Sequence, residues 1–149
     1  MEEKEKYMQI ALSMAKKAYK NNEVPIGAVI VCKDKIIAKA YNTRNKTQNA
    51  INHAEVLAIK KACKKLKSWR LVDCDIYVTL EPCFMCAGAI LNARIKNLYF
   101  GAYDKTSKTN LLNTILNDER LNHKTQAQGG ILKQECQILL EQFFKEKRK

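Results

Sequence analysis

The sequence predicts an α/β domain built around a mixed sheet, and two observations support this prediction. Segments with helical and strand patterns alternate along the chain after an initial pair of strands, which is typical of α/β proteins. The 149 residues are 46% apolar and 28% charged, as in ordinary globular domains. Because no linker, repeat or low-complexity segment interrupts the pattern, we expect residues 1–149 to form one domain.

The predicted elements follow from hydrophobic periodicity and from the positions of turn residues. Apolar residues at helical spacing predict a helix over 5–20, and apolar runs over 26–32 and 36–41 predict a β-hairpin. A polar loop is expected over 42–52. Further along, the patterns predict helices over 53–66, 83–92, 111–116 and 132–146 and strands over 76–80 and 97–102.

The charge balance is unusual for a domain of this size. The 27 Lys and Arg residues against 15 Asp and Glu give a formal net charge of +12, which favours a polyanionic partner such as nucleic acid or an anionic membrane surface. The alternative is that the proteome as a whole is rich in basic residues, which would give the same net charge without any polyanionic partner. No apolar run approaches the roughly 20 residues that span a bilayer, and the first residues lack the apolar segment of a signal peptide. We therefore expect a cytoplasmic protein whose six cysteines are core residues or metal ligands.

Two short motifs stand at predicted helix starts. His53 and Glu55 open one helix, and Cys83 and Cys86 open another. The two cysteines share one face of a first helical turn, where the helix dipole favours the thiolate. Two thiolates and a neutral imidazole form a ligand set that zinc prefers, although the cysteines alone could also be packed or redox-active thiols.

Glu55 is predicted to lie on the inward face of its helix. It shares one stripe with Ile59, Ala62 and Leu66, whereas the lysines of this helix occupy the opposite side. A buried carboxylate costs free energy unless it is paired or neutralised, so this position favours a functional acid. The alternative is a partly exposed carboxylate that interacts with the helix dipole.

Only three zinc ligands are evident, as in catalytic sites that leave one position for water. Cys74 and His123 are the candidates for a fourth ligand, but we expect Cys74 to pack in the core and His123 to face solvent or a partner. Cys32, Cys63 and Cys136 lie in apolar runs and are predicted to be core residues.

Three ligands and one carboxylate suit a hydrolytic reaction. A metal-activated water can attack an electron-poor ring carbon while a nearby carboxylate takes its proton and later assists departure of ammonia. Glu55 is the residue expected to shuttle that proton. The order His-x-Glu followed by Pro-Cys-x-x-Cys is also the signature of zinc nucleobase deaminases.

Further segments carry the pattern of a known family along nearly the whole chain. They are residues 23–29, 79–89 and 100–102, Asn122-His123, Gly129-Gly130 and the closing helix from Glu135 to Phe144. In this order they resemble the bacterial tRNA-specific adenosine deaminases of the zinc-dependent cytidine/deoxycytidylate deaminase superfamily. The resemblance implies a three-layer α/β/α cytidine deaminase-like fold with a central mixed sheet of about five strands.

The same resemblance implies a reaction and its site. The reaction is hydrolysis of a cyclic amidine C–N bond, which converts adenosine to inosine at the wobble position of a tRNA anticodon. The enzyme would be a homodimer with one Zn²⁺ per subunit, held by His53, Cys83 and Cys86. Asn42 would contact the flipped nucleoside and the Ala54 backbone would help to read the base edge. Without the resemblance, Asn42 would be interpreted as the end of the preceding strand.

Two segments depart from the family pattern. Residues 49–52 are Asn-Ala-Ile-Asn, where the family often has Asp-Pro-Thr-Ala. Residues 103–110 contain no glycine, although relatives usually carry glycines and small residues there. We expect a stiffer or differently shaped loop at 103–110, which affects RNA contacts rather than the chemistry.

The end of the last helix is the predicted tRNA-contacting surface. Lys145, Lys147 and Arg148 are candidates for contacts with phosphates of the anticodon arm, and Phe144 is a candidate for stacking on a base. The alternative is a solvated tail next to two core phenylalanines. The lysines at 60–65 are expected to face solvent.

Two other functions remain open from the sequence. One is a deaminase of free nucleobases or nucleosides, of guanine or cytosine type, which has little need of a basic surface. The other is a non-catalytic RNA-binding module stabilised by zinc, which requires a fourth protein ligand and does not depend on Glu55.

Overall fold

The structure is a computed structural model that describes residues 2–105 and 111–147. The described strands are β1 (Gly27–Cys32), β2 (Lys35–Tyr41), β3 (Cys74–Leu80), β4 (Asn97–Ala102) and β5 (Gln126–Gln128). The described helices are α1 (Glu3–Lys20), α2 (Arg44–Thr47), α3 (Ala54–Leu66), α4 (Phe84–Asn92), α5 (Leu111–Leu116) and α6 (Lys133–Lys147). No helix within these residues is long and apolar enough to cross a membrane.

The strands form one mixed sheet in the order β2-β1-β3-β4-β5. Strand β1 runs antiparallel to both β2 and β3, whereas β3, β4 and β5 are parallel to one another. The prediction of a mixed sheet of about five strands is thereby confirmed. Because β3 and β4 are parallel, the segments that follow them leave the sheet at the same edge.

Helices cover both faces of the sheet, because successive side chains of a strand point to opposite sides. Ala28 and Ile30 of β1 pack in one core cluster with α3, α4 and α5. Val29 and Val31 pack in a second cluster with α1 and α6. The fold is therefore a three-layer α/β/α arrangement, as predicted.

Helix α1 lies unusually close to β1. A Cβ atom on Gly27 would overlap the main-chain oxygen of Ala11 and would lie 2.6 Å from the main-chain nitrogen of Ala15. The side chains of Ala11 and Ala15 are fully buried, so small residues on both elements permit this approach. Only glycine fits at position 27 without displacing the helix.

Three details differ from the sequence-based prediction. The polar segment 42–52 contains α2, a four-residue helix that lacks an apolar face. Strand β5 was not predicted, because all three of its residues are exposed and it has no apolar alternation. Leu66 is 39% exposed rather than inward, because it is the last residue of α3 and the chain turns at Lys67 with a φ of 53°.

Candidate active site

Two helix starts meet at one edge of the sheet. His53 is the residue before α3, and Cys83 is the residue before α4. Two residues separate Cys83 from the end of β3. Both have extended backbones and neither side chain makes a capping hydrogen bond to its own helix. Their side chains are therefore available to a shared ligand instead of the helix ends.

The structure brings His53, Cys83 and Cys86 together. The Nδ1 atom of His53 is 3.7 Å from the Cys83 sulfur and 3.5 Å from the Cys86 sulfur, and the three donor atoms all lie within 4.8 Å of one another. Tetrahedral zinc with ordinary bond lengths places neighbouring nitrogen and sulfur ligands about 3.6 Å apart. The donor set and its spacing therefore fit Zn²⁺. In the part of the chain that the structure describes, no other trio of His, Cys, Asp or Glu is arranged in this way.

The local hydrogen bonds favour a thiolate at Cys83. The hydrogen bond from Cys86, together with one from His53, lowers the pKa of Cys83 to about 4 despite partial burial. The same contact with Cys83 raises the pKa of Cys86, and burial raises it further. A hydrogen bond to Cys83 raises the pKa of His53. One sulfur is thus already negative at neutral pH, as a zinc ligand must be.

Glu55 lies in the first turn of α3 with its side chain directed inward. The residue is only 4% exposed, as its helical position predicts. Burial raises the pKa of its carboxyl group to about 7, and the carboxylate also accepts a hydrogen bond from Cys86. A carboxyl group beside the ligand cluster can therefore both take and return a proton near neutral pH.

Asn42 and Ala54 are joined by a hydrogen bond. The side-chain oxygen of Asn42 accepts a hydrogen bond from the Ala54 main-chain N–H at 3.2 Å, and both residues are buried. Asn42 also donates its own N–H to the carbonyl of Ile26, directly after the end of β2. Asn42 thus terminates the strand and also contacts the residue that follows His53.

The other candidate ligands lie outside the cluster. Cys74 is buried in β3 opposite Cys32 of β1. His123 is half-buried, and its Nε2 atom lies 2.9 Å from the Ile95 carbonyl oxygen. His123 remains partly exposed at a surface pocket, so the expectation that it faces solvent or a partner stays a prediction. Cys136 is buried, and Cys63 is half-buried against the core.

The end of α6 presents both charge and an aromatic ring. Lys145 and Lys147 are exposed, and Lys147 lies 5.5 Å from the ring centre of Phe143, which is buried. Phe144 is 43% exposed and faces a groove of about 510 Å³, the α6 groove. The groove is lined by Leu80, Ala102, Tyr103, Asp104, Lys105, Gln137, Leu140, Glu141 and Phe144. Leu80 and Ala102, the last residues of β3 and β4, line the groove at the same edge of the sheet where the chain continues from β3 to Cys83. Arg148 and the loop residues 106–110 lie outside the described residues.

Sequence reasoning missed one buried group near the site. Glu23 is 1% exposed, and its carboxylate accepts hydrogen bonds from the N–H groups of Asn45 and Lys46 at 3.0 and 2.8 Å. These partners lie more than twenty residues away along the chain, so no local pattern could reveal the contact. The available signals were its place in the family-like segment 23–29 and an acidic residue three positions after the end of α1.

Comparison with known proteins agrees with the geometry of the cluster. The sequence matches the MafB19-like deaminase family over residues 2–148. It is 47% identical over 150 residues to a protein of Bacillus subtilis (strain 168) named tRNA-specific adenosine deaminase, covering all of this chain and 93% of that protein.

Two solved structures extend the comparison. One, from a study of A-to-I editing by tRNA:A34 deaminases at the wobble position of transfer RNA, has a TM-score of 0.84 and 36% identity, covering 91% of this chain and 99% of the other. Another is a guanine deaminase from Bacillus subtilis, with a TM-score of 0.65 and 39% identity over 69% of this chain and 66% of the other. The tRNA deaminase thus matches more of this chain. The chain belongs to the family of tRNA-specific adenosine deaminases.

Proposed function

We propose that this protein hydrolyses adenosine to inosine at the wobble position of a tRNA anticodon. The observation that carries the proposal is the juxtaposition of a three-ligand cluster with a buried carboxylate, Glu55, in a chain that is 47% identical to a tRNA-specific adenosine deaminase. Three protein ligands leave one position free, which is typical of catalytic rather than structural zinc sites.

His53, Cys83 and Cys86 would hold one Zn²⁺ per subunit. When bound, the metal would polarise a water molecule for attack on the ring carbon that carries the amino group. The Glu55 carboxylate takes the proton of the attacking water, delivers it to the ring nitrogen, and assists departure of ammonia. Its burial keeps bulk water from competing for that proton and holds its pKa near the working range.

Asn42 and Ala54 would bind the flipped nucleoside. The Ala54 N–H holds the side-chain oxygen of Asn42, so the amide nitrogen of Asn42 is the group oriented to donate to the substrate. The Ala54 backbone, one residue from His53, is placed to contact the base edge. The bond between these two residues would fix both contacts relative to the metal ligands.

The anticodon arm would extend over the α6 groove. An exposed Phe144 in a groove suits an unstacked base, because single-stranded RNA is recognised largely by stacking on aromatic side chains. Lys145, Lys147 and Arg148 would contact phosphates beside it. We further propose that residues 1–149 form one zinc-dependent deaminase domain, which acts as a homodimer in the cytoplasm, where tRNA is found.

The test is an inosine assay on two kinds of substrate. Purified protein is incubated with a tRNA that carries adenosine at the wobble position and, separately, with free adenine, guanine and cytosine. We expect inosine in the tRNA and no comparable ammonia release from the free bases. Activity on free bases alone would contradict the proposal and favour a guanine- or cytosine-type deaminase.

A Glu55→Ala variant separates an enzyme from a binding module. Loss of the proton shuttle should lower the deamination rate by about 10²- to 10⁴-fold, while the zinc content stays unchanged because Glu55 is not one of the three ligands. A wild-type protein that binds tRNA without ever forming inosine would support the non-catalytic module instead.

A further inference from the structure

We propose that Arg44 and Lys46 form a clamp for RNA phosphates beside the active site, and that Glu23 is a positioning residue that holds this clamp in place. The inference rests on the proposed function, because it assigns the surface that grips the RNA next to the nucleoside under attack. Arg44 and Lys46 do not belong to the zinc cluster. Both lie on α2, far along the chain from the basic end of α6.

The first argument concerns the location of the clamp. The N–H of Thr43 donates to the carbonyl of Asn52 at 3.2 Å, and the N–H of Ala54 donates to the side chain of Asn42 at 3.2 Å. These two hydrogen bonds bracket His53 on both sides. Because α2 begins directly after Thr43, it lies next to the metal-ligand cluster.

The second argument concerns charge. Arg44 and Lys46 are exposed, and neither forms an ion pair with a carboxylate within residues 2–105 and 111–147. Among the described residues, the charged groups of Arg44 and Lys46 therefore remain available to a ligand.

The third argument concerns how α2 is held. A four-residue helix does not persist without support, and the Thr43 side chain makes no capping bond at its start. Glu23 supplies the missing cap from elsewhere in the chain, because its two oxygens accept from the N–H groups of Asn45 and Lys46. Burying a carboxylate without a cationic partner costs free energy, which these two directed hydrogen bonds offset. A buried group thus holds the backbone from which the two basic side chains extend.

The fourth argument identifies the ligand class. A nucleotide flipped into a pocket carries its own two flanking phosphates to the mouth of that pocket. A guanidinium matches a phosphate with two parallel hydrogen bonds, and an ammonium binds it as a point charge. An unpaired Arg and Lys at this position therefore suit the RNA backbone immediately adjacent to the target base.

The experiment compares two charge-matched double variants. Arg44→Ala/Lys46→Ala removes the clamp, and Lys64→Ala/Lys65→Ala removes the same charge from exposed positions in the last turn of α3. Binding of an anticodon stem-loop is measured over a range of salt concentrations, and zinc is measured by elemental analysis. We expect the clamp variant to bind about tenfold more weakly or worse, with a salt slope reduced by about 1.4, because each of its two phosphate contacts to a single strand contributes about 0.7.

The salt slope of the control variant should differ from that of the wild type only by the small general effect of its lower net charge. Both variants should retain their zinc. An equal loss in the two variants would overturn the clamp and leave only a diffuse charge effect. Wild-type affinity and slope in the clamp variant would overturn it as well. A failure of the proposed function gives a different result: the wild type would form no inosine, whatever the binding of the two variants.

Glu23 is tested by a double-mutant cycle. Glu23→Gln should raise KM for tRNA while kcat is largely retained, because the clamp is misplaced but Glu55 is not. In the Arg44→Ala/Lys46→Ala background, Glu23→Gln should cause no further loss of RNA affinity, since the residues that it positions are already absent. An additive loss would show that Glu23 stabilises the fold without acting through the clamp.

Discussion

Single side chains at two helix starts form the candidate metal cluster of this protein. His53 and Cys83 stand at positions where a residue ordinarily caps its helix, yet neither does so. The consequence is a trio of donor atoms within 4.8 Å of one another, flanked by the buried carboxylate of Glu55. These residue types were identifiable from the sequence because their spacing within each motif is local.

Gly27 illustrates a residue whose role is purely steric. Substitution Gly27→Ala should destabilise the protein by about 1–3 kcal/mol, because the new methyl group meets the main chain of α1 at Ala11 and Ala15, which cannot rotate away. Chemical denaturation of the variant and the wild type measures this difference.

Gly101 provides the matched comparison. A Cβ at position 101 would overlap the side-chain sulfur of Cys136, so Gly101→Ala should also destabilise the protein. Here the Cys136→Ala substitution should recover part of the loss, since it removes the sulfur.

For position 27, unchanged stability of the Gly27→Ala variant would mean that α1 does not pack closely against β1.

At the scale of elements, periodicity explains most of the fold and tertiary support explains the rest. The amphipathic helices and apolar strands matched their predicted positions to within one or two residues. Helix α2 and strand β5 escaped prediction because neither buries an apolar face. The first is capped by Glu23, and the second is paired along β4.

The last turn of α6 should bind RNA through its charge. Deletion of residues 145–149 should weaken tRNA binding and flatten its dependence on salt, because Lys145 and Lys147 are exposed and the removed tail is basic. Fluorescence anisotropy at several salt concentrations measures both quantities, with zinc content as the control. A salt slope equal to that of the full chain would show that this end is only solvated.

At the scale of the whole molecule, the metal would join two helices that pack on the same face of the sheet. His53 precedes α3, whereas Cys83 and Cys86 belong to the start of α4, and both helices contribute to one core cluster. A ligand that binds only the folded state stabilises it by mass action. Metal binding should therefore contribute to stability as well as to activity.

Metal removal tests this coupling. A chelator should lower the melting temperature of the wild type, and added Zn²⁺ should restore it. Cys86→Ser should show a lowered melting temperature and no response to either treatment, because it lacks a ligand. Cys63→Ala, a half-buried cysteine outside the cluster, should respond as the wild type does. An equal response in Cys86→Ser would contradict the assignment of this residue as a ligand.

Residue chemistry and local periodicity were readable from the sequence alone, because both depend on neighbours a few positions apart. They led to the α/β class, the His-x-Glu and Cys-x-x-Cys motifs, the inward placement of Glu55 and the expected reaction. Folding had to bring the two motifs together, place Phe144 in the α6 groove, and bond Glu23 to the main chain of α2 at Asn45 and Lys46. These contacts join residues separated by tens of positions, so they depend on sheet order and helix packing rather than on any local pattern.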